Sequence, residues 1–339
     1  MEENPPMNRT ARRTAAALAL ALLTPLTAPA QDEKVTLRMS TPASETDQRS
    51  VALAEVFAPA VAGFADYRPH YNASLIAQGS ELEAIAGGDL EMSIASAQEL
   101  ATFFPEFSIF AAGYVHRDAE HQVRVFEDAL MDPFKATVEE ELGVKLLAVM
   151  YLGRRHVNLR QPRAELDVRT PADLEGVNLR MPGTDAWQFL GRALGANPTP
   201  LAFTEVYTAL QTGSVDGQDN PLPTVVDAKF YEVTEQIALT SHLVDLNYVA
   251  MSKEVFDDLT PERQRTLVEA AEAAAESGRR AQLAQEDELV AFLEEQGLEI
   301  YEPDLDAFRE HVQGEYEGSE FAAAWPEGVL ARVNALGEN

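Results

Sequence analysis

The stretch from Asp173 to Pro221 decides the fold. It runs Asp173-Leu-Glu-Gly-Val-Asn-Leu-Arg-Met-Pro182, then Leu194-Gly-Ala-Asn-Pro-Thr-Pro-Leu-Ala-Phe-Thr-Glu-Val-Tyr207, then Ala209-Leu-Gln-Thr-Gly-Ser-Val-Asp-Gly-Gln-Asp-Asn-Pro221. A turn of helix at 172–175 leads into a short strand at 176–180 that ends in one arginine, with Pro182 just beyond. Helices at 187–194 and 203–211 close on Gly195 and Gly213, and a strand follows at 215–218. In α/β proteins, ligands sit beyond the carboxyl ends of strands, which is where Arg180 falls. Its planar fork of donors matches a carboxylate better than a lysine would.

The same β–α alternation extends toward the N-terminus. Strands are predicted at 34–40, 67–71, 90–95 and 144–151, with helices at 48–64 (kinked at Pro59), 81–86 and 119–142 (broken near Pro133) between them. That order implies a mostly parallel sheet with helices on both faces. On the other side, extended segments are predicted at 153–159, 237–241 and 247–251. Thr260-Pro261 then supplies a cap and a first-turn proline for a helix running to Gln296, with Gly297 as its stop. Such a helix is about 54 Å long, enough to cross from one domain to another. Gly278 within it reads as a point of close packing. One strand and two amphipathic helices complete the chain.

With 339 residues and 46% apolar content, the chain can bury a substantial core in one large or two medium domains. A formal net charge of −30 excludes nucleic acid and anionic lipid as partners, since both need basic surface. There is no cysteine, hence no disulfide and no thiolate site. Arg9, Arg12 and Arg13, the apolar run 15–26 and Ala28-Pro29-Ala30 read as a secretory signal peptide cleaved after about Ala30. No later segment has membrane-spanning length, so the mature chain is expected outside the cytoplasm without inserting into the membrane.

The six histidines form no H-x-x-x-H pair, and the phosphate-loop, dinucleotide and nucleophile-elbow motifs are missing. No metal or cofactor is expected. The positive constellation is made of arginines. Gly153-Arg154-Arg155-His156 follows the strand at 144–151, and Arg180 ends another. Of Arg154 and Arg155, one reads as a surface residue. For Arg180 the competing reading is a structural ion pair.

Together, Asp173–Pro221, Leu90-Glu91-Met92, Phe104-Pro105-Glu106, Tyr151–Arg155, Lys229-Phe230-Tyr231-Glu232-Val233 and Leu259-Thr260-Pro261 resemble the substrate-binding proteins of TRAP transporters, the DctP-like family. The resemblance covers nearly the whole mature chain. It implies an α/β, two-domain periplasmic binding protein fold of the Venus-flytrap type, with a long helix crossing both domains. The expected divisions are 31–152 plus 246–285, and 153–245 plus 286–339, after a signal peptide at 1–30. The implied function is extracytoplasmic capture of a small organic acid and its delivery to membrane permease subunits, without catalysis. The resemblance gives Arg180 the main carboxylate contact and Arg155 a second one. Asn220 reaches the ligand, Phe203 lines the pocket, and Ser96 and Ser40 stand on the opposite wall. Ser96 is a small hydroxyl, with Glu99 one turn on, and Gln218-Asp219-Asn220 is similar to sugar-acid and sialic-acid binders. A uronate or aldonate is therefore the expected ligand. The alternatives are a secreted enzyme acting on sugar acids and a ligand-presenting receptor for a sensor kinase.

Overall fold

A computed structural model of the chain describes residues 34–338, and the signal-peptide reading of residues 1–30 lies outside them. The described residues contain the strands β1 (Val35–Ser40), β2 (Ala65–His70), β3 (Met92–Ser96), β4 (Val144–Leu159), β5 (Asn178–Met181), β6 (Asn197–Pro200), β7 (Gly217–Asn220), β8 (Gln236–Ser252) and β9 (Glu299–Tyr301). They form one sheet in the order β2-β1-β3-β8-β4-β7-β5-β6, with β9 added to β8.

This sheet is mixed, which corrects the mostly parallel expectation. The short strands do pair in parallel, β1 with β2 and β3, and β5 with β6 and β7. The two long strands β4 and β8 run antiparallel to each other and to their neighbours β7 and β3. Each had been expected as two separate pieces. Polar residues interrupt the apolar pattern of both strands midway, at Arg154-Arg155-His156 and at Thr240-Ser241-His242, and the backbone is irregular there as well. Register shifts occur at Tyr151/Gly153 and Arg155/Val157, Gly153 has φ +130°, and Ser241 has φ +46°. A Cβ on Gly153 would stand 2.6 Å from Pro221 Cβ, so the bend needs both the glycine's conformational freedom and its missing side chain.

Along β8, residues Asn247–Met251 pair with β3, whereas along β4, His156–Leu159 pair with β7. The fold is thus two lobes joined by β4 and β8, with the irregular midpoints between them. The helix Pro261–Glu295 spans 35 residues, or about 52 Å. Near its start Leu267, Ala271 and Ala274 pack with Leu53, Phe57 and Met251. At its far end Leu293 packs with Val206, Leu210 and Ile237. Between these clusters a Cβ on Gly278 would lie 3.3 Å from Ala52 Cβ, so the glycine is a close-packing site and the helix continues through it. The segment predicted as one helix over 48–64 contains a π turn at Leu53–Phe57, ahead of Pro59 in the next helical turn.

Candidate ligand-binding site

Beside the irregular midpoints of β4 and β8 lies a cleft of about 590 Å³, open solvent at its mouth included. One wall comes from the β5–β7 lobe and carries Arg180, Asn220, Phe203 and Trp187, with Arg155 at the crossing. The opposite wall carries Thr41, Arg49, Gln78, Ser96 and Glu99.

Arg180 is 1% exposed. Its Nε donates to Leu201 O at 2.8 Å, while its Nη2 is buried without any partner. Burial pushes its pKa down to about 9; Asp219 opposes that shift and Arg155 adds to it. This side chain therefore has an uncompensated desolvation cost that an incoming anion would offset. The ion pair that competed with this reading does not form.

Arg155 is nearly as buried but is paired with carboxylates. Its Nε donates to Asp245 Oδ2 at 2.6 Å and its Nη1 to Asp219 O at 2.7 Å, with Asp219 Oδ2 at 3.3 Å. Its guanidinium lies 4.4 Å from the Trp187 ring centre. Burial alone would lower its pKa; Asp245 and Asp219 overcome this and raise it. For Asp219, burial acts upward, but Arg155, His242 and Arg180 hold the carboxyl below the usual range. His242 Nε2 stands 3.2 Å from Asp219 Oδ2. Arg154 is the more exposed of the adjacent pair and donates to Arg117 O at 2.8 Å.

Asn220 Nδ2 donates to Gln218 Oε1 at 2.5 Å, and Gln218 Nε2 donates to Asn158 Oδ1 at 2.9 Å. This amide chain fixes the orientation of Asn220 at the cleft. Phe203 lines the cleft, and its backbone N–H donates to Gln78 Oε1 at 2.7 Å, linking the two walls. Ser96 caps the helix Ala97–Phe103 in a capping box with Glu99 and also lines the cleft. Ser40 does not line it. Its hydroxyl is fully buried and accepts from Ile76 N at 3.2 Å, and the next residue, Thr41, faces the cleft instead. Side chains alternate along a strand, so a one-residue error in choosing the strand end exchanges the faces.

Sequence reasoning missed Arg49. Its Nε and Nη2 pair with both oxygens of Asp47 at 2.9 and 2.8 Å, and its Nη1 donates to Asn247 Oδ1 at 2.5 Å. Its position in the helix following the end of β1 was the available signal, by the same strand-end rule that singled out Arg180. Trp187 and Asp245 were missed as well, because their roles depend on Arg155, which is distant in sequence. Among the described residues, no group of three or more histidines and carboxylates could hold a metal ion.

The family model described as bacterial extracellular solute-binding protein, family 7 (DctP), matches residues 40–322. A TRAP periplasmic solute binding protein from Roseobacter denitrificans, crystallised with bound 3-deoxy-D-manno-oct-2-ulosonic acid (KDO), is 81% identical, with 90% of this chain and 100% of that chain covered and a TM-score of 0.90. The sialic acid-binding periplasmic protein SiaP of Vibrio cholerae is 30% identical over 75% of this chain and 77% of its own length. A second TRAP periplasmic solute binding protein from R. denitrificans, with bound L-galactonate, is 26% identical, with 90% of this chain and 99% of that one covered and a TM-score of 0.79.

Proposed function

Since this chain belongs to family 7 of the bacterial extracellular solute-binding proteins, a family of transport proteins rather than enzymes, we propose that it captures a sugar acid between its lobes through an ion pair of the ligand carboxylate with Arg180. The observation that carries this reading is the buried, unpartnered Nη2 of Arg180 in the cleft. Similarity at 81% identity to a KDO-binding protein favours a 3-deoxy-2-ulosonic acid over the uronate or aldonate expected from sequence. Both classes share the carboxylate and a run of hydroxyls. Asn220, Ser96 and Thr41 offer the neutral polar groups that such hydroxyls require.

The mechanism follows from the two walls. A ligand touching both is held by the closed form alone, so it shifts the lobes toward closure. Exclusion of water then strengthens the guanidinium–carboxylate pair. The closed protein presents the ligand to the permease subunits of a TRAP transporter. The proposed hinge lies at Leu152/Gly153 and Asp245/Leu246, dividing the chain at the boundaries expected from sequence, and the proposed mature protein begins near Gln31. Among the described residues, no helix is long and apolar enough to cross a membrane.

Calorimetric titration with KDO, galacturonate and L-galactonate tests this reading. Wild-type protein is expected to bind KDO, and Arg180→Ala to lose at least about tenfold in affinity, the scale of one charge-assisted hydrogen bond. Equal affinity in the two proteins would show that the carboxylate lies elsewhere.

A further inference from the structure

Arg49, Arg155 and Arg180 contribute three positive charges to the cleft wall and its surroundings, and Asp47, Asp219 and Asp245 contribute three negative ones. That set is already neutral. Glu99 also lines the cleft and forms no ion pair. Its Oε2 accepts from Ser96 N at 2.7 Å and from Ser96 Oγ at 3.0 Å, leaving Oε1 without a protein partner. At the first position of the helix Glu81–Ala86 stands a second carboxyl, 5% exposed. Glu81 Oε2 accepts from Gly79 N at 2.6 Å, and its Oε1 is buried with no partner. The two carboxyls act on each other electrostatically, and no arginine or lysine pairs with either.

Resting on the reading that this cleft takes a sugar acid, we propose that Glu99 is a second anchor for the ligand and works in its acid form, donating from Oε1 to a ligand oxygen, with Glu81 as the positioning residue that helps keep the proton in place. A ligand carboxylate brings one negative charge into a neutral site, and an ionised Glu99 would add another beside it. Like charges in a shared buried site cannot both persist without cost, so the proton stays. Capture of an anion is therefore coupled to the protonation of this pair.

The groups around the pair agree with that direction. For Glu81, burial first and Glu99 second raise the pKa to about 8. For Glu99, burial raises the pKa, the Ser96 bonds lower it, Asp245 on β8 raises it and Arg49 on the facing helix lowers it, with a net rise. Arg155 on β4, Asp219 on β7 and Arg180 on β5 complete the charged surroundings. A carboxyl with a raised pKa is neutral below that pKa and ionised above it. Affinity for an anion is thus greatest where the pair keeps its proton and falls as pH rises through the pair's titration, by at most about tenfold per pH unit for each proton coupled.

The test is calorimetry of the mature, full-length protein with KDO from pH 6 to pH 9, in two buffers of different ionisation enthalpy at each pH. The expected result is a dissociation constant level from pH 6 to 7 and at least threefold larger by pH 9, with net proton uptake on binding at pH 8–9. Glu99→Gln is expected to flatten the pH profile, and Glu81→Gln to move the pH at which affinity falls. Binding that is level across the range with no proton exchanged overturns the inference, and that result requires no variant. A Glu99→Gln protein that keeps the wild-type pH profile overturns it too, by placing the titrating group elsewhere, Arg180 included. Failure of KDO, galacturonate and L-galactonate to bind at every pH overturns the sugar-acid reading itself and this inference with it, a pattern distinct from level binding.

Discussion

Arg155 and Arg180 reach the same cleft from β4 and β5, and both are almost fully buried. One is held by two aspartates and an indole face; the other makes one bond to a backbone carbonyl and stops there. The first ties together the crossing of the long strands, and the second retains a buried Nη2 without a partner, the group proposed to meet the ligand. Burial and residue type alone therefore do not separate an arginine paired with carboxylates from one without such a partner. The ion pairs do.

Substitutions that remove each charge while keeping its bulk can break that contrast. Arg155→Met carries the largest expected effect, because Asp219 and Asp245 would be left buried without a cation. The expected loss is about 3–5 kcal/mol of stability at neutral pH. Urea denaturation reads it directly, and a loss under 1 kcal/mol would show that the aspartates find other partners. Its acid limb adds a second check. The pKa of Asp219 is held below its unfolded value, so its contribution is complete above the ordinary carboxylate range and disappears as pH falls through the folded value. Wild-type protein should lose stability below about pH 4, and Arg155→Met should show a shallower loss.

Arg180→Met is expected to behave in the opposite way. No carboxylate is stranded, and the cost of a buried, unpartnered charge disappears. Stability of the ligand-free protein should stay level or rise by about 1 kcal/mol, while affinity for KDO falls at least about tenfold. At a ligand concentration of 100 times the dissociation constant, wild-type protein gains about 2.7 kcal/mol from binding, and the variant gains far less at that concentration. Thermal melts with and without ligand separate the two effects. A fall in ligand-free stability matching that of Arg155→Met would erase the distinction between the two arginines.

Much of this contrast was legible in the sequence on one side and hidden on the other. Arg180 stood out because a short apolar strand ends in a single charge just before Pro182. Phe203 and Asn220 lay within the same continuous stretch, and the long helix announced itself through Thr260-Pro261 and Gly297. The pairing of Arg155 with Asp245 was not legible, because it joins residues 90 positions apart across a strand pair that the pattern had divided into pieces. Polar side chains serving the cleft interrupt the apolar alternation that marks a strand, so the site itself concealed the continuity of β4 and β8. Arg49 was hidden for a related reason, since only folding brings the start of its helix opposite β5. Ser40 and Thr41 differ by one position, and composition does not register the pleat that turns one inward and the other toward the cleft.

The smallest expected effect lies at the lip of the cleft, where the two lobes touch without any guanidinium. Ser44 Oγ donates to Asp227 Oδ2 at 2.6 Å, and Thr46 Oγ1 donates to the other oxygen of the same carboxylate. Ser44 and Thr46 follow β1, and Asp227 ends the helix Leu222–Asp227 in the opposite lobe. A carboxylate at a helix C-terminus meets the negative end of the helix dipole, so these hydroxyls relieve a local repulsion as well as spanning the cleft. The contact needs no ligand and exists only when the lobes are close. Asp227→Ala should therefore leave the ligand contacts intact and shift the empty protein toward the open form. Solvent-exposed bonds of this kind fall at the low end, about 0.5 kcal/mol each, so losing both corresponds to a dissociation constant about fivefold larger. Calorimetry measures that change, and small-angle scattering of the ligand-free variant should show a larger radius of gyration. A tenfold loss of affinity would mean that Asp227 bears on the ligand itself, placing part of the binding charge outside the Arg180 wall.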